Sequence, residues 1–373
     1  MKIGLNARFL AYPYTGIGQY TLHLIQALAK LDESNEYFLF TPKLVDMVLP
    51  DHFHQIRVPE KSDPPTSLSR AQWEFQIIPQ EMKRLNIDLA HFLYPARPAA
   101  FSPPSIVTVH DIIPWLLPDY RAHMRSRLYH GYASGGLKKA DHLITVSEFS
   151  KREIEKQFKI KHKKFTVTHL APTLNKKLSF SCDAFTLRRP FLLYVGGYDP
   201  RKNVPLLIEA YQKFIANHHE IDLVLVGAQG KELEYFLTDE HQEKVAGKFK
   251  VKPKGEVIFT PYLSQESLQC FYRQATAFVH ASAYEGFNLP LVDALNTGLP
   301  ILVSNLAVHR EVAQEAAFFA PIDSIDSFGL AMHEFLNHPS LKEELKKEAL
   351  LRAKDFSWEK CAKKTLEVYR EFE

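Results

Sequence analysis

Short apolar segments rich in β-branched residues alternate with amphipathic segments along the chain, and this alternation constrains the fold more than any other feature. A strand–helix–strand order predicts parallel sheets built from βαβ units, so we expect an α/β protein. The clearest helix is predicted over Val204–Ile215, where apolar residues recur at intervals of three and four. The predicted strands are Ile3–Leu5, Tyr37–Phe40, Leu89–Phe92, Ile106–Val109, Leu143–Val146, Phe191–Val195, Leu223–Val226, Val257–Phe259, Ala277–Val279 and Ile301–Val303.

The pattern runs twice, and residues 171–190 interrupt it with a stretch that has no clear period. A chain of 373 residues is long enough for two domains. We predict a first domain over 1–170, a linker over 171–190 and a second domain over 191–356. Residues 357–373 are predicted to form a helix, N-capped by Ser357, that crosses back to the first domain. Two Rossmann-like domains facing across a cleft are expected, with ligands at the carboxyl ends of the strands.

The composition is that of an ordinary globular protein, with 46% hydrophobic and 24% charged residues. It excludes long disorder, collagen and a disulfide-rich scaffold. The sequence has no run of 18 apolar residues and no signal peptide pattern, so a cytoplasmic protein is expected. Cys182, Cys270 and Cys361 lack metal-ligand spacing and are predicted to be buried free thiols, with no metal site.

The small net charge of +3 hides an asymmetry between the two halves. Residues 1–170 contain 22 Lys and Arg against 16 Asp and Glu, whereas the remainder is slightly acidic. This basic excess is too dilute for a nucleic-acid site. Cations are densest around Arg121 and Arg125 and over 151–164. Two explanations stay open: a solvated helix face, or attraction to an anionic membrane surface or a phosphorylated acceptor.

A glycine-containing loop follows the first strand and precedes an amphipathic helix. Gly16 and Gly18 lie in this loop, where glycine allows close backbone approach and positive φ. The helix N-terminus that follows is suited to an anion, although a simple tight turn is equally compatible. Thr21 occupies the third glycine position of the dinucleotide-binding motif, and no P-loop motif is present.

Two polar pairs follow predicted strands, at the positions where α/β proteins bind ligands. His110 and Asp111 come directly after Ile106–Val109, and a histidine there is able to bond a sugar hydroxyl or a phosphate. Arg201 and Lys202 follow the first strand of the second half and precede the clear helix. Two cations beside a glycine turn and a helix N-terminus suit a diphosphate. The alternatives are a structural histidine and a solvated cation pair.

The most informative segment is the run from Ala283 to Leu295, which follows an apolar strand. Pro290 is tolerated at the first turn of a helix, so a helix is expected to begin there with its amides directed at an anion. Glu285 lies in the loop before it, and Asp293 lies eight positions later. Carboxylates at these positions are suited to paired sugar hydroxyls, and two unrelated surface acids are the alternative.

With these motifs together, the chain resembles the retaining glycosyltransferases of family GT4, which have the GT-B fold. The resemblance rests on Gly16-Ile17-Gly18, His110-Asp111, the segment 143–150, Val195-Gly196-Gly197 with Arg201-Lys202, the segment 285–290 and the ending Phe356-Ser357-Trp358. It implies a nucleotide-diphosphate sugar as substrate, no cofactor and no metal. Bacterial mannosyltransferases of polysaccharide and lipid-linked glycan assembly are the most similar members.

The resemblance also implies roles for individual residues. Arg201 and Lys202 would neutralise the donor diphosphate, Glu285 would bind the transferred sugar and Asp293 the ribose. His110 would contact the sugar, and Gly16 and Gly18 would close over the diphosphate. The further donor-binding residues would be Gly197, Phe287, Asn288 and Leu289, with Val257 and Phe259 near the nucleobase. On the acceptor side we expect Tyr14, Tyr20, Asp111, Arg121 and Arg125.

Two positions depart from the family pattern. Asp293 replaces the second glutamate of the E-x7-E motif, and Gly197 stands where many relatives carry arginine. The resemblance implies a retaining hexosyltransferase, with GDP-mannose as the expected donor and a glycan or lipid-linked acceptor. Peripheral contact with an anionic membrane stays open. A UDP-sugar donor, a nucleotide-sugar 2-epimerase or phosphorylase, and a non-catalytic nucleotide-sugar binder stay open as alternatives.

Overall fold

The structure is a computed structural model of the 373-residue chain. It describes all residues except 63, 64, 122, 161–163, 175–181, 183–186, 188, 217 and 228–253. The chain divides into two units. Unit 1 consists of Met1–Ala171 and Ser357–Glu373, and unit 2 consists of Pro172–Phe356. Most of the predicted linker at 171–190 lies outside the described residues.

Unit 1 contains a seven-stranded parallel sheet in the order β3-β2-β1-β4-β5-β6-β7. Its strands are β1 Lys2–Asn6, β2 Glu36–Thr41, β3 Phe53–Arg57, β4 Leu89–Phe92, β5 Ser105–Val109, β6 His142–Thr145 and β7 Lys164–Val167. Ile3 pairs with Tyr37 on one side and with Leu89 on the other. The inner strands are apolar and buried, as expected for a sheet covered by helices on both faces.

Unit 2 contains a six-stranded parallel sheet in the order β10-β9-β8-β11-β12-β13. Its strands are β8 Phe191–Val195, β9 Asp222–Val226, β10 Val257–Thr260, β11 Ala277–His280, β12 Ile301–Ser304 and β13 Phe318–Ala320. The predicted α/β class with two parallel sheets is therefore confirmed. Three strands escaped prediction, namely β3, β7 and β13. All three are edge strands that are only partly buried, so their sequences carry a weaker apolar signal.

Helices connect the strands in both units. Those of unit 1 are α1 Gly16–Leu31, α2 Ser67–Gln72, α3 Ile78–Arg84, α4 Ile113–Leu116, α5 Met124–Lys139, α6 Glu148–Phe158 and α13 Trp358–Arg370, and a π-helical segment, Trp73–Ile77, joins α2 to α3. Those of unit 2 are α7 Val204–Phe214, α8 Gln265–Gln274, α9 Leu289–Thr297, α10 Ala307–Ala313, α11 Ile325–Asn337 and α12 Pro339–Arg352. The predicted helix over Val204–Ile215 is confirmed to within one residue.

The C-terminal helix α13 packs against α1 within unit 1. Ser357 is its N-cap, as expected, because its hydroxyl accepts a hydrogen bond from the amide of Lys360. At the other end of the helix, the buried Tyr369 hydroxyl lies 2.7 Å from Nδ1 of His91 in β4. This buried hydrogen bond fixes α13 to the centre of the sheet.

The cysteines differ from expectation. Cys182 and Cys270 form a disulfide with a Cα–Cα distance of 5.4 Å, although 88 positions separate them in the sequence. Cys361 is a buried free thiol, as predicted. The prediction of three free thiols is therefore wrong for two of them, because spacing along the chain does not report which cysteines the fold brings together.

Candidate active site

The order of strands in the unit 2 sheet reverses between β8 and β11, whose neighbouring carboxyl ends carry the polar residues singled out from the sequence. The chain leaving β8 carries Arg201 and Lys202, and the chain leaving β11 carries Glu285. In open parallel sheets such a switch point is where ligands bind. The sheet topology thus explains why residues more than eighty positions apart meet.

Glu285 is the centre of a buried ionic group, which we call the Glu285 cluster (Arg201, Lys202, Ser282 and Glu285). Its Oε1 accepts hydrogen bonds from Lys202 Nζ at 2.6 Å and from Ser282 Oγ at 2.7 Å. Its Oε2 accepts from Arg201 Nη1 at 2.7 Å. The side chain of Glu285 is 6% exposed, against 18% for Arg201 and 11% for Lys202. Two cations therefore share one carboxylate in a poorly solvated place.

Burial and charge act in opposite directions on these groups. Burial alone would raise the pKa of the Glu285 carboxyl, but Lys202 and Arg201 hold it well below its usual range. Burial lowers the pKa of Lys202, and the neighbouring carboxylate only partly offsets this. A second anion at this place would favour the charged lysine. The cluster is thus electrostatically prepared for an anionic ligand.

Backbone contacts fix the loops that carry the cluster. The Asp199 carboxylate accepts a hydrogen bond from the amide of Arg201 and caps a short 3₁₀ turn over Pro200–Lys202. The Arg201 carbonyl accepts from the amide of Ala283 at 2.7 Å, and Arg201 Nη1 also donates to the Tyr284 carbonyl. The two loops are therefore bonded to each other through main-chain atoms as well as through ions.

The N-cap of helix α9 is Asn288, which lies three residues after Glu285 and has unusual backbone geometry. Asn288 has φ of 80° and caps the helix by accepting a hydrogen bond from the amide of Leu291. Its Nδ2 donates to Nε2 of the buried His309, whose Nδ1 donates to the Ser304 carbonyl at 2.8 Å. This chain of bonds orients the helix N-terminus, where the helix dipole favours an anion.

Asp293, the expected ribose ligand, is bonded within unit 2. It is buried in α9, and its Oδ1 accepts hydrogen bonds from the amides of Thr173 and Leu174 at 2.7 and 3.1 Å. Its Oδ2 accepts from the Thr173 hydroxyl at 2.8 Å. Burial raises the pKa of Asp293 to about 6, and these hydrogen bonds oppose the rise. The carboxylate therefore binds the first residues of unit 2, and its contact with a ribose stays a prediction.

The other residues predicted on the donor side lie in three places in unit 2. Phe287 is 3% exposed and packs edge-on against Phe356, and Leu289 is the first residue of α9. A Cβ added to Gly197 would meet no atom within 4 Å, so a larger side chain fits there. Val257 and Phe259 belong to the edge strand β10, are half-buried and pack on the core of unit 2.

The predicted glycine loop of unit 1 has a structural explanation. Thr15 caps α1 by accepting a hydrogen bond from the amide of Gly18 at 3.0 Å. A Cβ on Gly18 would lie 2.1 Å from the Tyr12 carbonyl oxygen, whereas Gly16 has free space around it. Neither glycine has a positive φ, so the expected left-handed geometry is wrong and close approach is confirmed at Gly18.

His110 follows β5, as expected, and its hydrogen bonding restricts its chemistry. Nε2 donates to the Leu93 carbonyl at 2.9 Å, and burial lowers the pKa of the ring to about 4. The ring is thus neutral at neutral pH, with Nδ1 as an acceptor. It suits contact with a sugar hydroxyl and does not suit donation to a phosphate.

The acceptor-side predictions are corrected in part. Tyr20 is fully buried in unit 1, with its hydroxyl 3.0 Å from Thr108 Oγ1, so it does not reach an acceptor. It was misplaced because its position in α1 is on the face turned toward the sheet. Asp111 accepts a hydrogen bond from the amide of Ile113 before α4. Tyr14 is 53% exposed, Arg125 is exposed and Arg121 is half-buried.

Sequence reasoning missed several residues of the site in unit 2. Ser282 bonds Glu285 directly, and His309 orients Asn288. His280, fully buried, stacks on the Tyr194 ring and lies 4.0 Å from Glu285 Oε1; burial lowers the pKa of its ring well below the usual value. Ser282 could have been selected from the sequence because it closely follows β11. His309 lies in α10, and nothing in the neighbouring sequence indicates its role.

Comparison with known proteins agrees with this geometry. Residues 14–171 match the family model of Glycosyltransferase Family 4, and residues 182–352 match that of Glycosyl transferases group 1. The chain is built from GT4-type glycosyltransferase domains. The glycosyltransferase is 28% identical to O-antigen chain mannosyltransferase B from Escherichia coli, over 99% of this chain and all of that protein.

A second relative supports the assignment, and a solved structure supports the fold. The serotype-specific mannosyltransferase WbdA from Escherichia coli is 26% identical over 71% of this chain and 33% of its own length. The structure of sucrose-phosphate synthase from Thermosynechococcus elongatus superimposes with a TM-score of 0.76 at 20% identity, covering 100% of this chain and 98% of the other. The glycosyltransferase therefore has the predicted GT-B fold.

Two features are absent from the part of the chain that the structure describes. No helix there combines the length and apolar character needed to cross a membrane. Among the same described residues, no group of three or more His, Cys, Asp and Glu is placed to hold a metal ion.

Proposed function

We propose that this glycosyltransferase transfers a hexose, mannose in the first instance, from a nucleotide-diphosphate sugar to a glycan or lipid-linked acceptor with retention of configuration. GDP-mannose is the proposed donor. The observation that carries the proposal is the Glu285 cluster at the switch point of the unit 2 sheet. The choice of mannose is supported by the full-length relative, which is named an O-antigen chain mannosyltransferase.

The cluster has the groups that such a transfer needs. The donor diphosphate takes over hydrogen bonds that Arg201 and Lys202 now make to Glu285, and the amides at the start of α9 add further donors. Glu285 is then free to accept hydrogen bonds from hydroxyls of the transferred sugar. Charge that develops on the leaving diphosphate meets fixed cations in a poorly solvated site.

The proposed step exchanges one C–O bond for another and transfers one proton. The acceptor hydroxyl oxygen bonds to the anomeric carbon while the bond from that carbon to the diphosphate oxygen breaks. The hydroxyl proton passes to the departing diphosphate oxygen on the same face of the sugar, so configuration is retained. No protein carboxylate is used as a nucleophile in this scheme.

The test compares charge removal inside the cluster with charge removal outside it. Glu285→Gln and Lys202→Met are each expected to lower turnover by about 10²-fold or more, the size typical of losing one preorganised contact to developing charge. Lys213→Met is the matched control, because Lys213 lies in the same unit on α7 and forms an exposed ion pair with Asp326. Circular dichroism checks folding. Full activity in both cluster variants would refute the assignment of the Glu285 cluster as the site of transfer.

The nucleotide is identified by mass action. Ligand that binds the folded protein raises its melting temperature in proportion to RT ln(1 + [L]/Kd). We expect GDP and GDP-mannose to give a larger shift than UDP, UDP-glucose and UDP-N-acetylglucosamine at equal concentration. The reverse order would assign a UDP-sugar donor while leaving the transferase assignment intact.

Product analysis separates the transferase from other enzymes on this fold. Incubation of donor without acceptor yields an isomerised nucleotide sugar for a 2-epimerase, and added phosphate yields a sugar phosphate for a phosphorylase. A transferase gives a new glycoside only when acceptor is present, and its anomeric configuration is read by NMR. A non-catalytic binder would show donor binding and none of these products.

Peripheral membrane contact is proposed for helix α5. Met124, Leu128 and Tyr132 form one stripe along the helix and are 77%, 69% and 44% exposed. Arg125 and Arg127 are exposed on either side of the stripe. Apolar side chains flanked by cations suit an anionic lipid surface. Sedimentation with phosphatidylglycerol vesicles at low salt is expected to fall in Leu128→Asp, and no sedimentation of the unaltered protein would exclude this contact.

A further inference from the structure

The order of strands in the unit 1 sheet also reverses, between β1 and β4, and a second polar group lies beside the carboxyl ends of these strands. We call it the Glu74 cluster; its members are Arg8, Glu60, Arg70, Glu74, Tyr94 and Tyr129. They come from the chain after β1, β3 and β4, from α2 and the π-helical segment, and from α5. By the rule for open parallel sheets, this switch point is a place for a ligand.

Glu74 is the best-bonded member of the cluster. It is fully buried, and its Oε1 accepts hydrogen bonds from Arg70 Nε at 2.8 Å and from the Tyr94 hydroxyl at 2.7 Å. Its Oε2 accepts from the Tyr129 hydroxyl at 2.7 Å, and Arg70 Nη2 donates to the same hydroxyl. Glu74 lies on the π-helical turn Trp73–Ile77, a rare geometry that is frequent at functional sites.

Glu60 is bonded incompletely, unlike Glu74. Its Oε1 accepts from Arg8 Nε at 2.6 Å, and its side chain is 4% exposed. Its Oε2 is buried and has no hydrogen-bond partner within the part of the chain that the structure describes. An unsatisfied buried carboxylate oxygen is costly and calls for a bound partner. A hydroxyl group is the simplest donor that would satisfy it.

Aromatic rings hold the two arginines in place. The Arg8 guanidinium lies over Tyr12, with its carbon 5.1 Å from the ring centroid, and over Phe9 at 5.6 Å. The Arg70 guanidinium lies over the same Phe9 ring at 6.0 Å and over Tyr129 at 5.1 Å. Phe9, Tyr12, Arg70 and Tyr129 are partly exposed, so aromatic surface and polar atoms border the solvent together.

Charge balance indicates the class of ligand. Arg8 is paired with Glu60 and Arg70 with Glu74, so the cluster carries no net charge. A phosphate or an acidic sugar would meet a carboxylate beside each guanidinium. A neutral sugar is complementary to the cluster, because the aromatic rings can contact its C–H face and the carboxylate and guanidinium groups can bond its hydroxyls.

We propose that the Glu74 cluster binds a neutral sugar of the acceptor, with Glu60 and Arg70 bonding its hydroxyls and the partly exposed rings of Tyr12 and Tyr129 contacting its C–H face. Glu74 is then a positioning residue that acts through Arg70. The proposal rests on the proposed function, since it assigns the acceptor of that transferase. It also moves the acceptor away from Tyr20, which is buried.

Binding is tested first without catalysis. Saturation-transfer NMR is recorded with the methyl glycosides of mannose, glucose, galactose and N-acetylglucosamine, each offered to the whole protein. We expect transfer to at least one glycoside, and loss of that signal in Glu60→Gln and in Tyr129→Leu, which removes the ring. Glu81→Gln is the matched control, because Glu81 forms an exposed pair with Arg84 in the same unit. No signal with any glycoside, or an unchanged signal in both variants, overturns the proposal.

Kinetics then separate this proposal from the proposed function. Glu60→Gln and Tyr129→Leu are expected to raise the acceptor KM about tenfold or more, while the thermal shift produced by donor nucleotide stays unchanged. Glu60→Asp should recover part of the loss. If acceptor KM stays constant while Glu285→Gln abolishes transfer, the acceptor assignment fails and the transferase stands. If Glu285→Gln keeps full activity, the proposed function itself fails. Variants that lose their circular dichroism are replaced in this comparison by Tyr12→Leu.

Discussion

The buried carboxyl of Asp293 makes a sharp prediction about stability and pH. Asp293→Asn keeps all three hydrogen bonds, because Oδ1 still accepts from the amides of Thr173 and Leu174. The new Nδ2 donates to the Thr173 hydroxyl, which reverses its role from donor to acceptor. The substitution therefore removes the ionisation of residue 293 and little else.

The sign follows from the raised pKa of Asp293. The folded carboxyl titrates at about 6 and the unfolded one at 3.8, so the folded state holds its proton longer. The stabilisation that this group contributes to the folded state is therefore fully present below about pH 4 and is lost as pH rises through 6. The difference in pKa corresponds to about 3 kcal/mol at 1.36 kcal/mol per unit.

Asp293→Asn is therefore expected to be more stable than the unaltered protein above about pH 7, by up to about 3 kcal/mol, and equal to it near pH 4. Asp293→Ala is the contrasting variant. It leaves the buried amides of Thr173 and Leu174 without an acceptor, which costs about 1–3 kcal/mol per group at every pH. Asp293→Ala should therefore be less stable than Asp293→Asn at every pH, because only asparagine keeps these hydrogen bonds.

The assay has to report on unit 2. The three tryptophans, Trp73, Trp115 and Trp358, all lie in unit 1. Urea unfolding followed by far-UV circular dichroism includes unit 2, and tryptophan fluorescence serves as an internal control for unit 1. A difference between Asp293→Asn and the unaltered protein that does not change between about pH 4 and 8 would refute the reasoning, as would a destabilised Asn variant at pH 7.

Substitutions at three other positions test the packing of unit 1 and one helix cap in unit 2. In Gly136→Ala the new Cβ would lie 1.7 Å from the Arg97 carbonyl oxygen, so tryptophan fluorescence should show unit 1 melting well below the unaltered protein. Tyr369→Phe leaves a buried nitrogen of His91 unsatisfied and should cost about 1–3 kcal/mol in the same measurement. Asn288→Ala removes a cap at positive φ and should cost about 1–2 kcal/mol by circular dichroism, whereas Asn288→Gly should recover the backbone part.

The sheets were predictable because their inner strands carry a strong local signal. Ile106–Val109 and Leu223–Val226 are continuous apolar runs, since buried parallel strands are covered on both faces. The edge strands Phe53–Arg57 and Lys164–Val167 contain polar residues on exposed positions and resemble loops. Edge strands are therefore the part of a parallel sheet that local sequence reports least.

The site was predictable where function depends on position after a strand. Arg201, Lys202 and Glu285 were all selected on that basis, and the sheet brings them within hydrogen-bond distance. The buried partners of Asp293 and Tyr20 were not predictable, because both residues lie inside helices and the sequence alone does not say which residues the buried face of a helix meets. Their partners come from distant parts of the chain.

The two clusters differ in how their cations are paired with carboxylates. In unit 2, Arg201 and Lys202 share the single buried carboxylate of Glu285, and the N-terminus of α9 follows in the chain with its amides and dipole. In the Glu74 cluster of unit 1, each arginine is matched by its own glutamate. Unit 2 therefore adds a helix N-terminus to its two cations, although Asp199 also lies 3.5 Å from Arg201, whereas each arginine of unit 1 has its own carboxylate. This difference favours the proposed diphosphate site in unit 2 and the proposed uncharged-sugar site in unit 1.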